Sequence, residues 1–101
     1  MSNYRISIEE DAKFDIAEGY DWYSKISEKV SDSFLVQIKK TIEYLEQDPF
    51  LFQLIYKNYR QVPVKKFPFV IIYKVETQSV KIYRVFPTKM DPSSKFKILR
   101  N

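Results

Sequence analysis

Apolar residues change their spacing along this chain. Near the start, Tyr4, Ile6 and Ile8 alternate with Arg5 and Ser7, the period-two pattern of a short strand. Glu9-Glu10-Asp11 follows, and carboxylates there suit the positive end of a helix dipole. Ala12, Ile16, Gly19, Tyr23 and Ile26 recur at steps of three and four, which predicts a first helix with one apolar face. Val30, Phe34, Ile38, Ile42 and Leu45 repeat the spacing in a second helix, with Glu28, Lys39, Lys40, Glu43 and Glu46 off the stripe. Ser27 or Ser31 can cap this helix, and Asp48-Pro49 ends it, because the residue before proline avoids the helical region.

Beyond Tyr56 the pattern turns β-branched and aromatic. A short strand is predicted around Tyr59–Val62, closed by Pro63, and longer ones over Phe69–Val75 and Val80–Phe86. Only Glu76-Thr77-Gln78-Ser79 separates the last two, so they should pair as an antiparallel hairpin, with the turn type left open. Pro87 stops the final strand, and Asp91-Pro92 forms a turn that opens a short basic tail. The predicted order is β-α-α-β-β-β. This is an α+β fold in which a small, antiparallel-rich sheet packs on a two-helix hairpin. Strict alternation in the last strand turns Val80, Ile82 and Phe86 toward the helices, and Lys81, Tyr83 and Val85 outward. It also turns Arg84 inward, so either the strand bulges there or Arg84 reaches a rim carboxylate. Trp22, Tyr23, Phe50 and Phe52 make an aromatic excess on the hairpin side, read mainly as core. An exposed Trp22 would call for a covering partner helix.

Composition removes many kinds of chemistry. At 101 residues the chain is read as one domain, residues 1–101, burying about 65 % of its unfolded surface. It has no cysteine and no histidine, which excludes thiol nucleophiles, Ser-His triads and the usual zinc ligands. No metal or cofactor is expected. Its one glycine, Gly19, rules out a Gly-rich phosphate loop. The longest apolar run, Phe67–Tyr73, is interrupted by Pro68 and too short to cross a bilayer, and the N-terminus lacks a signal-like stretch. A soluble cytoplasmic protein is the expectation. Charge then divides as the periodicity does. Residues 1–56 hold 6 Lys/Arg against 11 Asp/Glu, and residues 57–101 hold 11 against 2. A basic, aromatic sheet backed by an acidic hairpin attracts anionic partners, whether RNA, a protein–DNA complex or an acidic protein.

Three stretches carry a family resemblance: Ala12–Tyr23, Tyr59–Val75 with its V-I-I-Y-K-V strand, and Val80–Pro92 with V-K-I-Y-R-V-F-P-T-K-M-D-P. In this order and spacing the chain resembles toxins of the RelE/ParE family of bacterial type II toxin–antitoxin modules, from about Tyr4 to Phe96. The resemblance implies the β-α-α-β-β-β fold and a cognate antitoxin whose C-terminal segment wraps the toxin. It also implies one of two activities. RelE-like members enter the ribosome and cleave mRNA, whereas ParE-like members inhibit DNA gyrase by protein contact. A plasmid-stabilisation role, and a homodimer or a heterotetramer with the antitoxin, fit either branch.

The residues favour the ParE-like branch. A metal-free ribonuclease must deprotonate a 2′-hydroxyl and stabilise a phosphorane, which RelE-like members do with lysines, arginines and a tyrosine. Aligned on V-I-I-Y-K-V, Gln61 and Pro63 stand at the lysine positions, Val70 at an arginine position and Pro87 where many relatives have histidine. If the chain is an enzyme, it is a metal-independent endoribonuclease with a rearranged basic set; a non-toxic antitoxin-binding remnant is the third alternative. Arg60 matches an arginine of ParE-like members and is a candidate contact for gyrase or antitoxin, or else an ion-pair partner of Asp15 or Glu18. Lys89 stands where relatives carry an arginine before aspartate-proline. Lys65, Lys66, Lys81, Tyr83 and Arg84 complete the candidate contact set, with Trp22 as an aromatic that an antitoxin would cover.

Overall fold

The computed structural model describes residues 3–99. In chain order the elements are β1 (Arg5–Ile8), α1 (Glu10–Ser24), α2 (Glu28–Gln47), β2 (Gln53–Tyr56), β3 (Tyr59–Pro63), β4 (Phe69–Glu76), β5 (Ser79–Pro87) and α3 (Pro92–Leu99). One sheet runs β1-β5-β4-β3-β2, with β1 parallel to β5 and the other neighbours antiparallel. The α+β class and the antiparallel-rich sheet on a helical hairpin are as predicted. Two elements are additions to the β-α-α-β-β-β order: the edge strand β2 and the terminal helix α3, which replaces the expected tail.

Both helices of the hairpin form where their apolar stripes place them. Ser27 caps α2, its hydroxyl accepting from the Val30 N–H at 3.3 Å, while the Ser31 hydroxyl donates to the Glu28 carbonyl inside the helix. Ala12, Phe34, Ile38 and Leu45 meet Val62, Ile71, Tyr73, Val80 and Ile82 in the main core. Fully burying each large apolar side chain of this set contributes roughly 1.5–3 kcal/mol. Gly19 has a specific purpose here: a Cβ on it would come within 2.7 Å of the Phe34 ring. Phe34 packs in turn on Tyr23, Phe67 and Phe69, with ring centroids 5.2–5.4 Å apart. Buried Tyr73 donates its hydroxyl to the Pro49 carbonyl at 2.6 Å, tying β4 to the chain leaving α2. Ile26, expected on the apolar stripe, is 61 % exposed because α1 has already ended at Ser24.

The opposite sheet face carries a smaller core in which Val70, Ile72 and Phe86 pack with Leu99 of α3. The Asp91 carboxylate marks the start of that helix, accepting from the Ser93 N–H at 3.3 Å and from its hydroxyl at 2.8 Å. Between β4 and β5, Glu76 pairs with Ser79 around a two-residue loop. Positive φ among the described non-glycine residues is confined to Lys57 (50°) and Lys66 (71°), so this hairpin turn is not one of the primed types.

Strict alternation in β5 fails at one point. Ile72 pairs with Arg84 and Tyr73 with Ile82, leaving Tyr83 as an extra residue in a β-bulge. The bulge reverses the remaining side chains: Val85, expected outward, enters the helix-side core, and Phe86, expected inward, joins the opposite one. Lys81 and Tyr83 face outward as expected.

Candidate functional site

The strand β1 stops opposite Ile82, where the Glu9 N–H donates to the Ile82 carbonyl at 2.9 Å, and α1 then turns away. From Tyr83 onward, β5 is therefore a sheet edge. Asp15, one turn into α1, takes the place of the missing strand. Its Oδ2 accepts from the Val85 N–H at 2.8 Å and from Arg84 Nε at 2.8 Å, and its Oδ1 accepts from Arg84 Nη2 at 2.9 Å. Both alternatives considered for Arg84 therefore hold: the strand bulges, and the guanidinium reaches a rim carboxylate. Its charged form is held by the hydrogen bonds to Asp15 above all, which push its pKa above the ordinary arginine range against the effect of burial. The guanidinium also lies 4.8 Å from the Phe86 ring centroid.

This arrangement floors a groove of about 530 Å³ between α1 and the free edge of β5. Trp22, Phe69, Phe86 and Met90 supply apolar walls, and Glu18 and Lys89 lie on the lining beside the Asp15–Arg84 pair. Trp22 is 63 % exposed and packs edge-on against Tyr23 at 5.4 Å. The aromatic excess on the hairpin side thus splits. Tyr23 and Phe52 pack on the core, but Trp22 and Phe50 remain exposed.

The other candidate residues lie elsewhere. Lys65 and Lys66 line a second hollow with Lys40 and Tyr44 of α2, about 580 Å³ in volume. Lys81 and Tyr83 stand on the outer sheet face beside Tyr59 and Lys74. Arg60 does not pair with Asp15 or Glu18, as one reading had it, because Arg84 holds Asp15. Its Nη1 donates to the Phe52 and Phe50 carbonyls at 2.7 and 3.3 Å, and its guanidinium lies 5.2 Å from the Phe50 ring centroid. It fastens the chain between α2 and β2. Gln61 and Pro63 sit in β3, and Val70 is buried in the smaller core.

Sequence reasoning missed Lys74 and Lys40, and it named Asp15 only as one alternative partner of Arg60, leaving the rim carboxylate of Arg84 unidentified. Lys74 had one signal, a charge at an outward position in an otherwise apolar strand. Asp15 had none, because its partner lies across the fold, 69 residues away.

The family model for the ParE toxin of type II toxin–antitoxin systems matches residues 6–92, which takes in the hairpin, the groove and all of the sheet but its first residue, Arg5. This chain belongs to the ParE toxin family. Among solved structures, a chain described as the chromosomal ParDE TA system from P. aeruginosa shares the fold, with a TM-score of 0.75 at 17 % identity. The match covers 83 % of the present chain and 95 % of that one. No curated protein matches the sequence. This ParE-family chain presents its groove beyond the point where β1 ends, and no helix among its described residues is long and apolar enough to cross a membrane.

Proposed function

We propose that this ParE-family toxin acts in the cytoplasm by protein contact with DNA gyrase and is held inactive by a cognate antitoxin seated in the Trp22 groove. The observation that carries the reading is the family match over residues 6–92. The groove supports the antitoxin: an exposed tryptophan and apolar walls suit an amphipathic segment, and Arg84 and Lys89 suit its carboxylates. The positions aligned with a nuclease centre support the gyrase branch, since Gln61, Pro63 and buried Val70 supply neither charge nor a proton shuttle.

Induction of the chain without its antitoxin should arrest growth, and the purified toxin should inhibit gyrase supercoiling while leaving translation in a cell-free system intact. Codon-linked cuts in translated transcripts would instead identify a ribosome-dependent mRNA endonuclease. Antitoxin binding without arrest would identify a non-toxic remnant.

A further inference from the structure

The outer face of the sheet carries a second set of residues that the groove does not use. Tyr59 of β3 pairs in register with Lys74 of β4, and Lys74 pairs with Lys81 of β5, so the three side chains form a row across adjacent strands. Successive members of such a row stand about 4.8 Å apart. The bulge at Tyr83 adds a second ring to the row, edge-on to Tyr59 with centroids 5.2 Å apart at 80°. The Lys74 ammonium lies 5.0 Å from the Tyr59 centroid and 5.5 Å from that of Tyr83. Lys57 places its ammonium 5.4 Å from the Tyr56 ring at the end of the row. Lys81 reaches Glu76 at 4.0 Å, but both side chains are well exposed and such a pair adds little.

We infer that this row of Tyr59, Lys74, Lys81 and Tyr83 binds single-stranded nucleic acid. Two half-exposed rings with ammonium groups interleaved match the two recurring parts of a nucleotide, a base with a π-face and a phosphate with a negative charge. The helix α3 covers the other end of this face over Val70, Ile72 and Phe86; Tyr59 packs at the margin of that core with its ring half-exposed, and Tyr83 stands outside it. A duplex is the poorer occupant, because its bases are stacked internally and unavailable to tyrosine rings. An acidic peptide would engage the lysines but offers nothing regular to the rings. The inference does not rest on the gyrase reading, which uses no residue of this row; the row lies on the face of the sheet opposite the helical hairpin.

The test is fluorescence anisotropy of labelled oligo-dT and oligo-rU with the full chain, across a salt series. Single strands should bind more tightly than a duplex of the same length. Tyr83→Leu should weaken binding about tenfold with an unchanged salt slope. The Lys74→Gln/Lys81→Gln pair should weaken it and flatten the salt slope by about 1.4, the value for two lost phosphate contacts on a single strand. Thermal melts should show both variants folded; if Tyr83→Leu does not fold, Tyr83→Phe replaces it and should keep near-native binding. An equal loss from Lys29→Gln/Lys39→Gln, at exposed positions of α2, would reduce the effect to net charge and overturn the assignment. Equal binding of duplex or polyglutamate would overturn it too, as would no binding at low salt.

Discussion

Asp15 is the side chain on which most of the groove depends. It completes the hydrogen bonding of a strand edge and neutralises a guanidinium in the same place. Asp15→Ala would leave the Val85 N–H unsatisfied and the part-buried Arg84 without its carboxylate, a loss of roughly 2–3 kcal/mol. In a domain of this size the melting temperature should fall by about 10 °C or more. Asp15→Asn keeps one acceptor and should lose less, so the ratio of the two in urea unfolding separates hydrogen bond from charge. Tyr73 makes a different prediction. Burial pushes its phenol up to about 12, Arg60 opposing and Asp48 adding to the rise. An unfolded tyrosine loses its proton near pH 10, whereas the folded one holds it, so the stability this group contributes is complete below pH 10 and is lost as pH rises through about 12. Urea midpoints at about pH 9 and about pH 11 should therefore differ more for the native chain than for Tyr73→Phe. Neither Asp15 nor Tyr73 was marked in the sequence; only the awkwardness of Arg84, the partner of Asp15, was legible there, because an inward arginine in an apolar strand violates a local rule. The identity of its partner depends on how α1 crosses the sheet, which no local rule contains.

At the scale of elements, the sequence was readable wherever apolar spacing or β-branched composition was sustained. The two helices each carry one apolar stripe, β3, β4 and β5 read as β-branched and aromatic runs, and each appears within a residue or two of its predicted bounds. The edge strand β2 lies within an uncharged stretch, Pro49–Tyr56, in which apolar residues hardly alternate with polar ones. Phe52 and Ile55 serve opposite cores, and the register shifts between Leu54 and Tyr56. It pairs with β3 as a local hairpin around Lys57-Asn58, but without a regular period nothing in the stretch marks it as a strand. The bulge in β5 is equally silent, since one inserted residue leaves composition unchanged while reversing Val85 and Phe86. The packing of α1 on α2 yields the element-scale prediction. Gly19→Ala gains helix propensity of about 0.8–1.0 kcal/mol. Against that, the new methyl group meets a fully buried Phe34 ring at 2.7 Å, and overpacking of this kind loses about 1–3 kcal/mol. The clash should win, and the variant should melt below the native chain. A Gly19→Ala/Phe34→Leu double variant should recover part of the loss in the same thermal melt.

For the whole molecule, the division of charge proves to be a division of surfaces. The acidic hairpin and the basic sheet meet at the groove, where Asp15 and Glu18 face Arg84 and Lys89, while further lysines spread over the outer face and the second hollow. The seven basic and aromatic residues singled out as contacts therefore do not form one site. A linear sequence cannot show this, because residues 81, 83 and 84 are neighbours in the chain yet serve an outer face and a rim. Trp22 allows the antitoxin reading to be tested separately from any gyrase assay. It is the only tryptophan, it is 63 % exposed, and it stands in the groove wall, away from the outer-face row. Its exposure means that Trp22→Ala should leave the melting temperature within a few degrees of native, because surface substitutions are usually within about 0.5 kcal/mol. If an antitoxin segment covers the groove, a buried tryptophan at the contact centre is the residue type that dominates binding, and the variant should lose at least 2 kcal/mol, about thirtyfold, in antitoxin affinity. The native tryptophan emission should shift to shorter wavelength on complex formation. An unshifted emission with unchanged affinity would place the antitoxin on another surface, and the second hollow lined by Lys40, Lys65 and Lys66 would be the next to mutate.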